Sequence, residues 1–308
     1  MVEPVLPIRL VALDIDGTLV DEDLVIGRRT RDAVAEAGRR GITVCLVTGR
    51  MAISAMPFAD ALRLTGPIVA QQGALVRAMA NPGSGRPGRL LYHRRLRPEV
   101  TVEIVRWCLQ RDLTPHFNYL EWMIVGSSEP NIGQYRLFVG DRLQLVPDIA
   151  IRAHGPVTKV VALGEGNHSI DVLDEGRADF AGRAEVTLSH PRFLEFLAPG
   201  VSKGSAVRWL ARRLGVPLGQ CLAVGDQYND LEMIGEVGHG VAMPSAPAAV
   251  QAAARFVAPP VGEEGAAQMI ERIALDGWRP TAGADPAPVW VGPGGVASPD
   301  RRGDGDRR

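Results

Sequence analysis

Residues 10–19 read LVALDIDGTL. The run Leu10–Leu13 is short and entirely apolar, which is typical of a buried strand in an α/β protein. Asp14 and Asp16 follow it directly, so the strand delivers two carboxylates at its carboxyl end. Open parallel sheets bind their ligands beyond the carboxyl ends of the strands. This one stretch therefore predicts both the kind of sheet and the place of its site.

Two later apolar runs also end on polar residues. Residues 42–47 (ITVCLV) lead into Thr48, and residues 221–224 (CLAV) lead through Gly225 into Asp226. Helical patterns lie between the runs, and strands that alternate with helices imply right-handed crossovers and a parallel sheet. We therefore predict an α/β fold with a three-layer, Rossmann-like core, in which these polar ends meet at one edge.

Two helix starts carry capping signals. Thr30 is predicted to cap the first helix. Ser202 is predicted to cap a late helix, which Gly215 ends.

A different pattern interrupts this alternation between residues 83 and 195. It has a helix, two strands, a helix and two further strands, which predicts an inserted α+β domain (83–195) in a discontinuous core (1–82 and 196–275). Residues 276–308 are rich in Pro, Gly, Asp and Arg and hold few large apolar side chains. Such a segment buries little apolar surface, so we predict a disordered tail.

The bulk composition excludes several classes of partner. The chain has 308 residues, of which 46% are hydrophobic and 22% charged, and its formal net charge is −1. This balance gives no reason to expect a nucleic acid or a membrane surface as partner. The longest uncharged stretch, residues 237–254, contains two prolines and is a poor membrane span. We expect a cytoplasmic protein, monomeric or homodimeric, with three buried free cysteines.

Only two of the 34 basic residues are lysines, Lys159 and Lys203. A coding bias toward arginine accounts for the general pattern. A lysine that persists under this bias is a candidate for a position where arginine does not substitute, because a compact ammonium is needed. Lys203 stands at a helix start beside a Gly, whereas Lys159 lies in a predicted strand and is a candidate for substrate contact.

The acidic residues suit a magnesium site beside a phosphate. Asp14, Asp16 and Asp226 offer carboxylates and a backbone carbonyl to a hard divalent cation, with room left for waters. A carboxylate is able to attack phosphorus once a cation screens the charge of the phosphate. The sequence therefore predicts phosphoryl chemistry with Mg²⁺ as cofactor.

Three other groups are suited to hold phosphate oxygens. The Thr48 hydroxyl and the Gly49 N–H donate hydrogen bonds, and Lys203 adds a positive charge with three donors. Hydrolysis of a phosphate monoester requires rate gains of up to about 10²¹, so several groups must converge. A leaving alkoxide also needs a proton. Asp16 is our candidate for the acid and base, because crowding by neighbouring carboxylates and the phosphate favours its protonated form.

Four motifs resemble those of a known family: DIDGTL at 14–19, VTGR at 47–50, VSKG at 201–204 and GDQYND at 225–230. In order and spacing they resemble the haloacid dehalogenase superfamily, and in particular its Cof-type phosphatases. The insertion between the second and third motifs resembles a C2 cap of the IIB variant. The resemblance covers roughly residues 8–275.

This resemblance implies a role for each site residue. Asp14 would be the nucleophile and Asp16 the acid and base. Mg²⁺ would be held by Asp14, the Asp16 carbonyl and Asp226, with Asp230 orienting the metal site. The phosphate would be held by Thr48, Gly49, Lys203 and Asn229. The implied reaction is hydrolysis of a small phosphorylated metabolite, such as a sugar phosphate, nucleotide or cofactor intermediate, through a phospho-aspartate.

Two loops depart from the family pattern. Gln71-Gln72-Gly73-Ala74 stands where the family usually has an Asn-Gly pair, and Met243-Pro244-Ser245-Ala246 stands where it usually has Met-Gly-Asn-Ala. Both loops are expected near the site, so substrate fit or loop dynamics are expected to differ. Neither departure removes a catalytic group.

Some residues allow a second interpretation. Asp14 and Asp16, taken alone, also suit a turn or a helix cap. Arg50 is suited either to hold a phosphate or to pair with a local carboxylate. Three residues of the insert are candidates for lining the substrate pocket or for its core: His116, Tyr119 and Trp122.

Two alternative functions stay open at the level of sequence. A phosphotransferase or mutase would use the same Asp14 chemistry and pass the phosphoryl group to a sugar hydroxyl. A non-catalytic metabolite-binding protein is disfavoured, because such a protein has no need of both Asp14 and Asp16.

Overall fold

The computed structural model describes residues 7–80, 83–277 and 289–290. Its strands are β1 (Leu10–Leu13), β2 (Val25–Ile26), β3 (Thr43–Val47), β4 (Ile68–Ala70), β5 (Leu75–Met79), β6 (Pro87–His93), β7 (Thr114–Tyr119), β8 (Trp122–Gly126), β9 (Leu143–Val146), β10 (Lys159–Leu163), β11 (Glu185–His190), β12 (Phe193–Leu197), β13 (Cys221–Gly225), β14 (His239–Ala242), β15 (Phe256–Val257) and β16 (Val289–Trp290). Its α-helices are α1 (Arg28–Arg39), α2 (Ala52–Ala61), α3 (Pro98–Leu109), α4 (Ile132–Val139), α5 (Ile149–Arg152), α6 (His168–Asp171), α7 (Leu173–Asp179), α8 (Lys203–Leu214), α9 (Leu231–Glu236), α10 (Ala248–Ala253) and α11 (Gly265–Met269).

The larger sheet has eight strands in the order β15-β14-β13-β1-β3-β4-β5-β6. The first six strands of this order are parallel, as the alternation of strands and helices predicts. The last two, β5 and β6, are antiparallel and form one edge. The site-bearing strands β1, β3 and β13 are neighbours at its centre.

Helices cover both faces of this sheet, because successive residues of the fully buried strand β1 belong to two different core clusters. Val11 and Leu13 belong to a core cluster that includes side chains of α1, α2 and α11. Leu10 and Ala12 point to the opposite face and belong to a cluster with α8 and α9. The predicted three-layer α/β core is therefore confirmed.

A second sheet has the order β11-β12-β10-β7-β8-β9 and is antiparallel except for the β8–β9 pair. One face is apolar: Phe117, Val160 and Phe196 are buried in a cluster that includes Trp107 of α3. We call the part of the chain from Pro98 to Leu197, which carries this sheet, the insert, and the part that carries the larger sheet the core unit. The predicted inserted α+β fold is present in the insert.

The chain passes from the core unit to the insert later than the sequence predicted. Strand β6 (Pro87–His93) lies beyond the predicted boundary at 82/83, yet it is hydrogen-bonded to β5 in the larger sheet. Residues 83–86, at the start of the predicted insert, therefore lie in the connection between two paired strands of the larger sheet. The division into two domains remains a prediction in its exact bounds.

Most of the predicted disordered tail lies outside the described residues. Its disorder therefore stays a prediction for residues 278–288 and 291–308. Within the tail, Val289–Trp290 form β16, which pairs antiparallel with β2.

The cysteines and the helices bear on two predictions from composition. Cys45, Cys108 and Cys221 are free and buried, as predicted. In the described ranges no helix has the length and apolarity needed to cross a bilayer.

Glu264, not Thr30, supplies the hydrogen-bond acceptor at the start of α1. The helix begins at Arg28, so Thr30 lies inside its first turn. The Glu264 carboxylate accepts hydrogen bonds from the Thr30 N–H (2.7 Å), the Thr30 hydroxyl (2.8 Å) and the Arg29 N–H (3.3 Å). The predicted Thr30 cap is therefore wrong, because a carboxylate more than 200 residues away in sequence satisfies these donors.

We expect Glu264→Ala to lower the free energy of unfolding by about 2 kcal/mol, since it removes an N-terminal cap and leaves its donors unpaired. Denaturant unfolding measures the change. The neighbouring, exposed Glu263 provides the control, and Glu263→Ala should have little effect. Equal stability of the two variants would contradict the capping role.

Candidate active site

The carboxyl ends of three central strands meet at one edge of the larger sheet. Asp14 follows β1, Thr48 follows β3, and Asp226 follows β13. The Asp14 N–H donates to the Val224 carbonyl (3.0 Å), and the Thr48 N–H donates to the Val69 carbonyl (2.9 Å). The sheet's own hydrogen bonds therefore continue to the site and fix the backbone from which these side chains project.

Three buried carboxylates crowd together at this edge. One oxygen from each of Asp14, Asp226 and Asp230 lies within 4.8 Å of the others. Burial, with the charge of Asp230 as the second cause, raises the pKa of Asp14 well above its usual value. The same two causes raise the pKa of Asp226 to about 6. Such a cluster carries negative charge that a cation would neutralise.

Lys203 is the cation that the chain itself supplies to the cluster. Its Nζ lies 2.8 Å from an Asp14 oxygen and 2.7 Å from an Asp230 oxygen, and the residue is only 1% exposed. Burial lowers the pKa of Lys203, but the two carboxylates outweigh it and the pKa is raised. Ser202 accepts a hydrogen bond from the Ser205 N–H and so caps α8 at this residue, as predicted.

The turn after β13 holds Asp230 in place. One oxygen of Asp230 accepts hydrogen bonds from the backbone N–H groups of Asp226 and Gln227, each at 3.1 Å. Its other oxygen contacts Lys203. Both oxygens of Asp230 are therefore engaged within the chain.

Gly17 allows the first motif to approach Asp226 closely. Its φ is +74°, and a Cβ atom at this position would lie 2.3 Å from an Asp226 oxygen. Only glycine meets both conditions without strain. The next residue, Thr18, donates its hydroxyl hydrogen to Asp226 at 3.3 Å.

Asp16 does not join the carboxylate cluster. Its two oxygens face the guanidinium of Arg50 at 2.8 and 2.5 Å, and about half of the side chain is exposed. The Asp16 carboxylate pairs with Arg50 and lies outside this cluster, although its charge still contributes to the raised pKa of Asp14. Of the two interpretations of Arg50, pairing with a local carboxylate is the one that the structure shows.

The loop after β3 begins with a buried residue, Thr48, and is tied to the insert. Thr48 is 1% exposed, and its hydroxyl oxygen accepts a hydrogen bond from the Arg50 N–H (3.1 Å). The Gly49 carbonyl accepts a hydrogen bond from Nζ of Lys159 (2.9 Å), which projects from β10. This contact joins the two sheets across the site.

Two residues that sequence reasoning did not assign to the site complete this contact. Glu195 of β12 accepts a hydrogen bond from Lys159 (2.8 Å) and another from Gln72 (2.8 Å). Gln72 in turn accepts a hydrogen bond from Asn229 (3.0 Å). The one sequence signal for Gln72 was its departure from the family's Asn-Gly pair, and Glu195 carried no signal.

A cavity of about 360 Å³ opens between the core unit and the insert. Gln72, Lys203 and Asn229 line it on the core side, and Thr187 of β11 lines it on the side of the insert. It therefore reaches groups that the sequence assigned to phosphate binding.

The three residues proposed from the sequence to line the substrate pocket lie in different environments. His116 is buried on the face of the second sheet that carries Lys159. The centroid of its ring lies 5.2 Å from that of Tyr135 on α4. Tyr119 is partly buried, with its ring 6.0 Å from that of His93. Trp122 is 40% exposed and stacks on Arg142. The structure brings only His116 to the buried face beside Lys159.

Burial, aided by Lys159, lowers the pKa of His116 to about 3, below its usual 6.5. Between these values the unfolded chain binds a proton that the folded chain does not, so stability is lost as pH falls through 6.5. At pH 5 the loss is about 2 kcal/mol. When the pH is lowered from about 7.5 to 5, the free energy of unfolding of His116→Asn should therefore rise by about 2 kcal/mol relative to that of wild type.

Denaturant unfolding at both pH values tests this expectation, since other titrations are common to both proteins. The exposed His154 provides the control, as His154→Asn should leave the pH dependence unchanged. A difference for His116→Asn that does not vary with pH would show that the folded protein accommodates the charged imidazole.

The carboxylate cluster fits a hard divalent cation. Asp14 and Asp226 have oxygens close enough to share one ion, and carboxylates are the ligands that Mg²⁺ prefers. Because both oxygens of Asp230 are already engaged by Lys203 and two N–H groups, Asp230 is better placed to orient the site than to bind the ion. The Asp16 carbonyl stays a predicted ligand.

Comparison with known proteins gives one consistent result. The family model for haloacid dehalogenase-like hydrolases matches residues 11–270. The chain is also similar to the HMP-PP phosphatase of Enterobacter sp. (strain 638), with 30% identity over 239 residues, which is 77% of this chain and 85% of that protein.

Solved structures show the same fold. A haloacid dehalogenase-like hydrolase from Bacteroides thetaiotaomicron is 28% identical, with a TM-score of 0.72, and the match covers 86% of this chain and 99% of that one. The subclass IIB sugar phosphatase BT4131 is 21% identical, with a TM-score of 0.72, over 86% of this chain and 98% of that one. The similarity to BT4131 concerns the fold alone.

Proposed function

Because the chain belongs to the haloacid dehalogenase-like hydrolase family, we propose that this phosphatase is magnesium-dependent and acts on a small phosphorylated metabolite through a phospho-aspartate on Asp14. The observation that carries the proposal is the buried cluster of Asp14, Asp226 and Asp230 with Lys203 between two of its members. It joins a carboxylate nucleophile to an ammonium that balances part of the charge of the site.

One oxygen of Asp14 has no hydrogen-bond donor among the described residues and is available for attack. Lys203 engages its Oδ1 at 2.8 Å, which leaves Oδ2 to form the bond to phosphorus while the bond to the ester oxygen breaks. In the second step a water oxygen bonds to phosphorus and the bond to Asp14 breaks. We propose that Thr48, the Gly49 N–H and Asn229 hold the phosphate oxygens during both steps.

Asp14 and Asp226, with the Asp16 carbonyl, would hold the Mg²⁺, and Asp230 would orient them. When bound, the cation screens the negative charge of phosphate and carboxylates. Lys203 contacts both Asp14 and Asp230 and so helps to hold these two carboxylates in place.

Asp16 is proposed as the acid that protonates the leaving oxygen and as the base that takes a proton from water. Both of its oxygens face Arg50, so at least one must turn away from the guanidinium for either transfer. We therefore propose that substrate binding releases Asp16 from Arg50 in the productive complex.

We expect Asp16→Asn to lower kcat about 10²-fold on an ester with a poor leaving group, since that alkoxide needs a proton. The loss should be smaller on p-nitrophenyl phosphate, whose leaving group departs as a stable anion. Steady-state kinetics on both esters measure the difference. Equal losses on the two esters would exclude Asp16 as the acid.

The insert is proposed to act as a cap that closes over the site, excludes water and selects the substrate. This proposal is supported by contacts such as Lys159 to the Gly49 carbonyl, which join the insert to the phosphate-binding loop.

Phosphate release from a panel of esters tests the proposed function. The panel should contain sugar phosphates, nucleotides and cofactor intermediates, with HMP-PP included because a relative is named for it. We expect release with Mg²⁺ and none with a chelator. Phosphorylated product on added acceptor sugars would point to a transferase. No turnover from a folded protein would favour a metabolite-binding protein.

A further inference from the structure

Gln72 occupies a constrained position between the phosphate-binding groups and the insert. It follows β4 in a short turn, is 1% exposed, and has φ 58° and ψ 24°. A residue other than glycine, asparagine or aspartate rarely adopts this left-handed conformation, and such strain persists only where the surroundings enforce it. The Gln72 N–H donates to the Thr48 carbonyl (3.1 Å), so the turn is anchored to the loop after β3.

The side-chain amide of Gln72 connects two parts of the molecule. Its Nε2 donates to Glu195 (2.8 Å) on the insert, and its Oε1 accepts from Nδ2 of Asn229 (3.0 Å) on the core unit. It also packs against Gly49, where a Cβ atom would lie 2.5 Å from Nε2. The amide thus contacts two phosphate-binding motifs and the insert at once.

Glu195 fixes which way this amide faces. Its Oε1 accepts hydrogen bonds from Lys159 (2.8 Å) and Ser189 (2.8 Å), and its Oε2 accepts from Gln72. Because Glu195 forms an ion pair with Lys159, its carboxylate acts only as an acceptor. Gln72 must therefore present its NH₂ group to Glu195 and its carbonyl oxygen to Asn229.

The orientation of Asn229 follows from the same rule. Asn229 must present its NH₂ group to the Gln72 carbonyl, so its own Oδ1 points elsewhere, where it is buried without a hydrogen-bond partner in the described residues. Because Nδ2 carries two hydrogens and Gln72 accepts only one, the second remains for a phosphate oxygen.

We propose that Gln72 is a positioning residue for phosphate binding, which relays the orientation set by Lys159 and Glu195 of the insert to Asn229 of the core unit. This inference rests on the proposed function, in which Asn229 holds the phosphate. It further implies that Asn229 is set correctly only when the insert is seated on the core unit.

A double-mutant cycle in phosphate binding tests the relay. Gln72→Met keeps the length of the side chain and removes both hydrogen bonds, and Asn229→Ala removes the group that the relay positions. The probe is inorganic phosphate in the presence of Mg²⁺, with its Kd measured by calorimetry. This readout does not require turnover, so failure of the relay is distinguishable from failure of the phosphatase proposal.

We expect each single variant to raise the phosphate Kd roughly tenfold, which corresponds to about one hydrogen bond. The double variant should be no weaker than either single one, because Gln72 acts through Asn229. Glu195→Gln removes the fixed acceptor without changing the turn. Alone it should raise the phosphate Kd, and combined with Gln72→Met it should have no further effect. Exposed Gln110 supplies the control Gln110→Met.

Two results would overturn the proposal. One is additive weakening of about 100-fold in the double variant, which means that Gln72 and Asn229 act independently. The other is a wild-type Kd in Glu195→Gln, which means that the insert does not control the phosphate site; this arm stays decisive even if Gln72→Met fails to fold.

Discussion

Asp14→Asn is expected to abolish phosphate release, with a fall in kcat of roughly 10⁴-fold or more. The amide has nearly the shape of the carboxylate, but its carbonyl oxygen is too weak a nucleophile to form the phosphoryl bond. The substitution keeps an acceptor for Lys203, which still pairs with Asp230. Steady-state phosphate release with Mg²⁺ on the best ester of the panel measures the effect.

Stability separates this loss from misfolding. Asp14→Asn removes one of three carboxylates that crowd within 4.8 Å, so repulsion falls and the free energy of unfolding in metal-free buffer should not decrease. Asp23→Asn makes the same chemical change at an exposed residue outside the site and should retain full activity. Substantial turnover by Asp14→Asn would exclude the phospho-aspartate.

The parts of the fold that were predictable are those that local patterns encode. Apart from Thr43, the runs before Asp14, Thr48 and Asp226 are apolar, because their strands are covered on both faces. The order of neighbouring strands then brings their ends together. The Ser202 cap was visible for a similar reason, since its partner Ser205 lies three residues away.

The errors concern contacts between residues far apart in sequence. Glu264 replaces the expected Thr30 cap, and Arg50 holds Asp16 outside the carboxylate cluster. Neither pairing leaves a mark on local periodicity or spacing. The insert was predicted to start before β6 because a Gly- and Pro-rich stretch is equally typical of a linker and of a hairpin turn, and only the pairing of β6 with β5 distinguishes the two.

The left-handed turn at Gln72 was hidden for another reason. Glutamine gives no signal for positive φ, whereas the asparagine or glycine expected there would have given one. Its departure from the family pattern located the difference, but the contacts with Glu195 and Asn229 appear only in three dimensions.

Both lysines of the chain lie buried beside the site. This supports the interpretation that they persist at positions where arginine does not substitute. Lys159 and Lys203 are 2% and 1% exposed, and each Nζ contacts two oxygen acceptors at 2.7–2.9 Å. A planar guanidinium is larger and directs its donors differently, so it does not fit the same two contacts without displacing its neighbours.

Lys203→Met is expected to affect stability and activity together. It removes the ammonium between Asp14 and Asp230, so buried carboxylates are left without their positive partner, at a cost of about 3–5 kcal/mol. The phosphate also loses a charged donor, which should lower kcat roughly 10³-fold. Denaturant unfolding in metal-free buffer and steady-state kinetics with Mg²⁺ measure the two effects.

Arg208 lies on the same helix as Lys203 and provides the matched control. It pairs with Glu232 and Glu236 at a partly exposed surface, where an ion pair contributes at most about 1 kcal/mol. Arg208→Met should therefore leave both stability and kcat close to wild type. If Lys203→Met had the same free energy of unfolding as this control, the result would mean that protonation of the carboxylates compensates for the lost ammonium. If it also kept full activity, Lys203 would not be the cation on which phosphate binding depends.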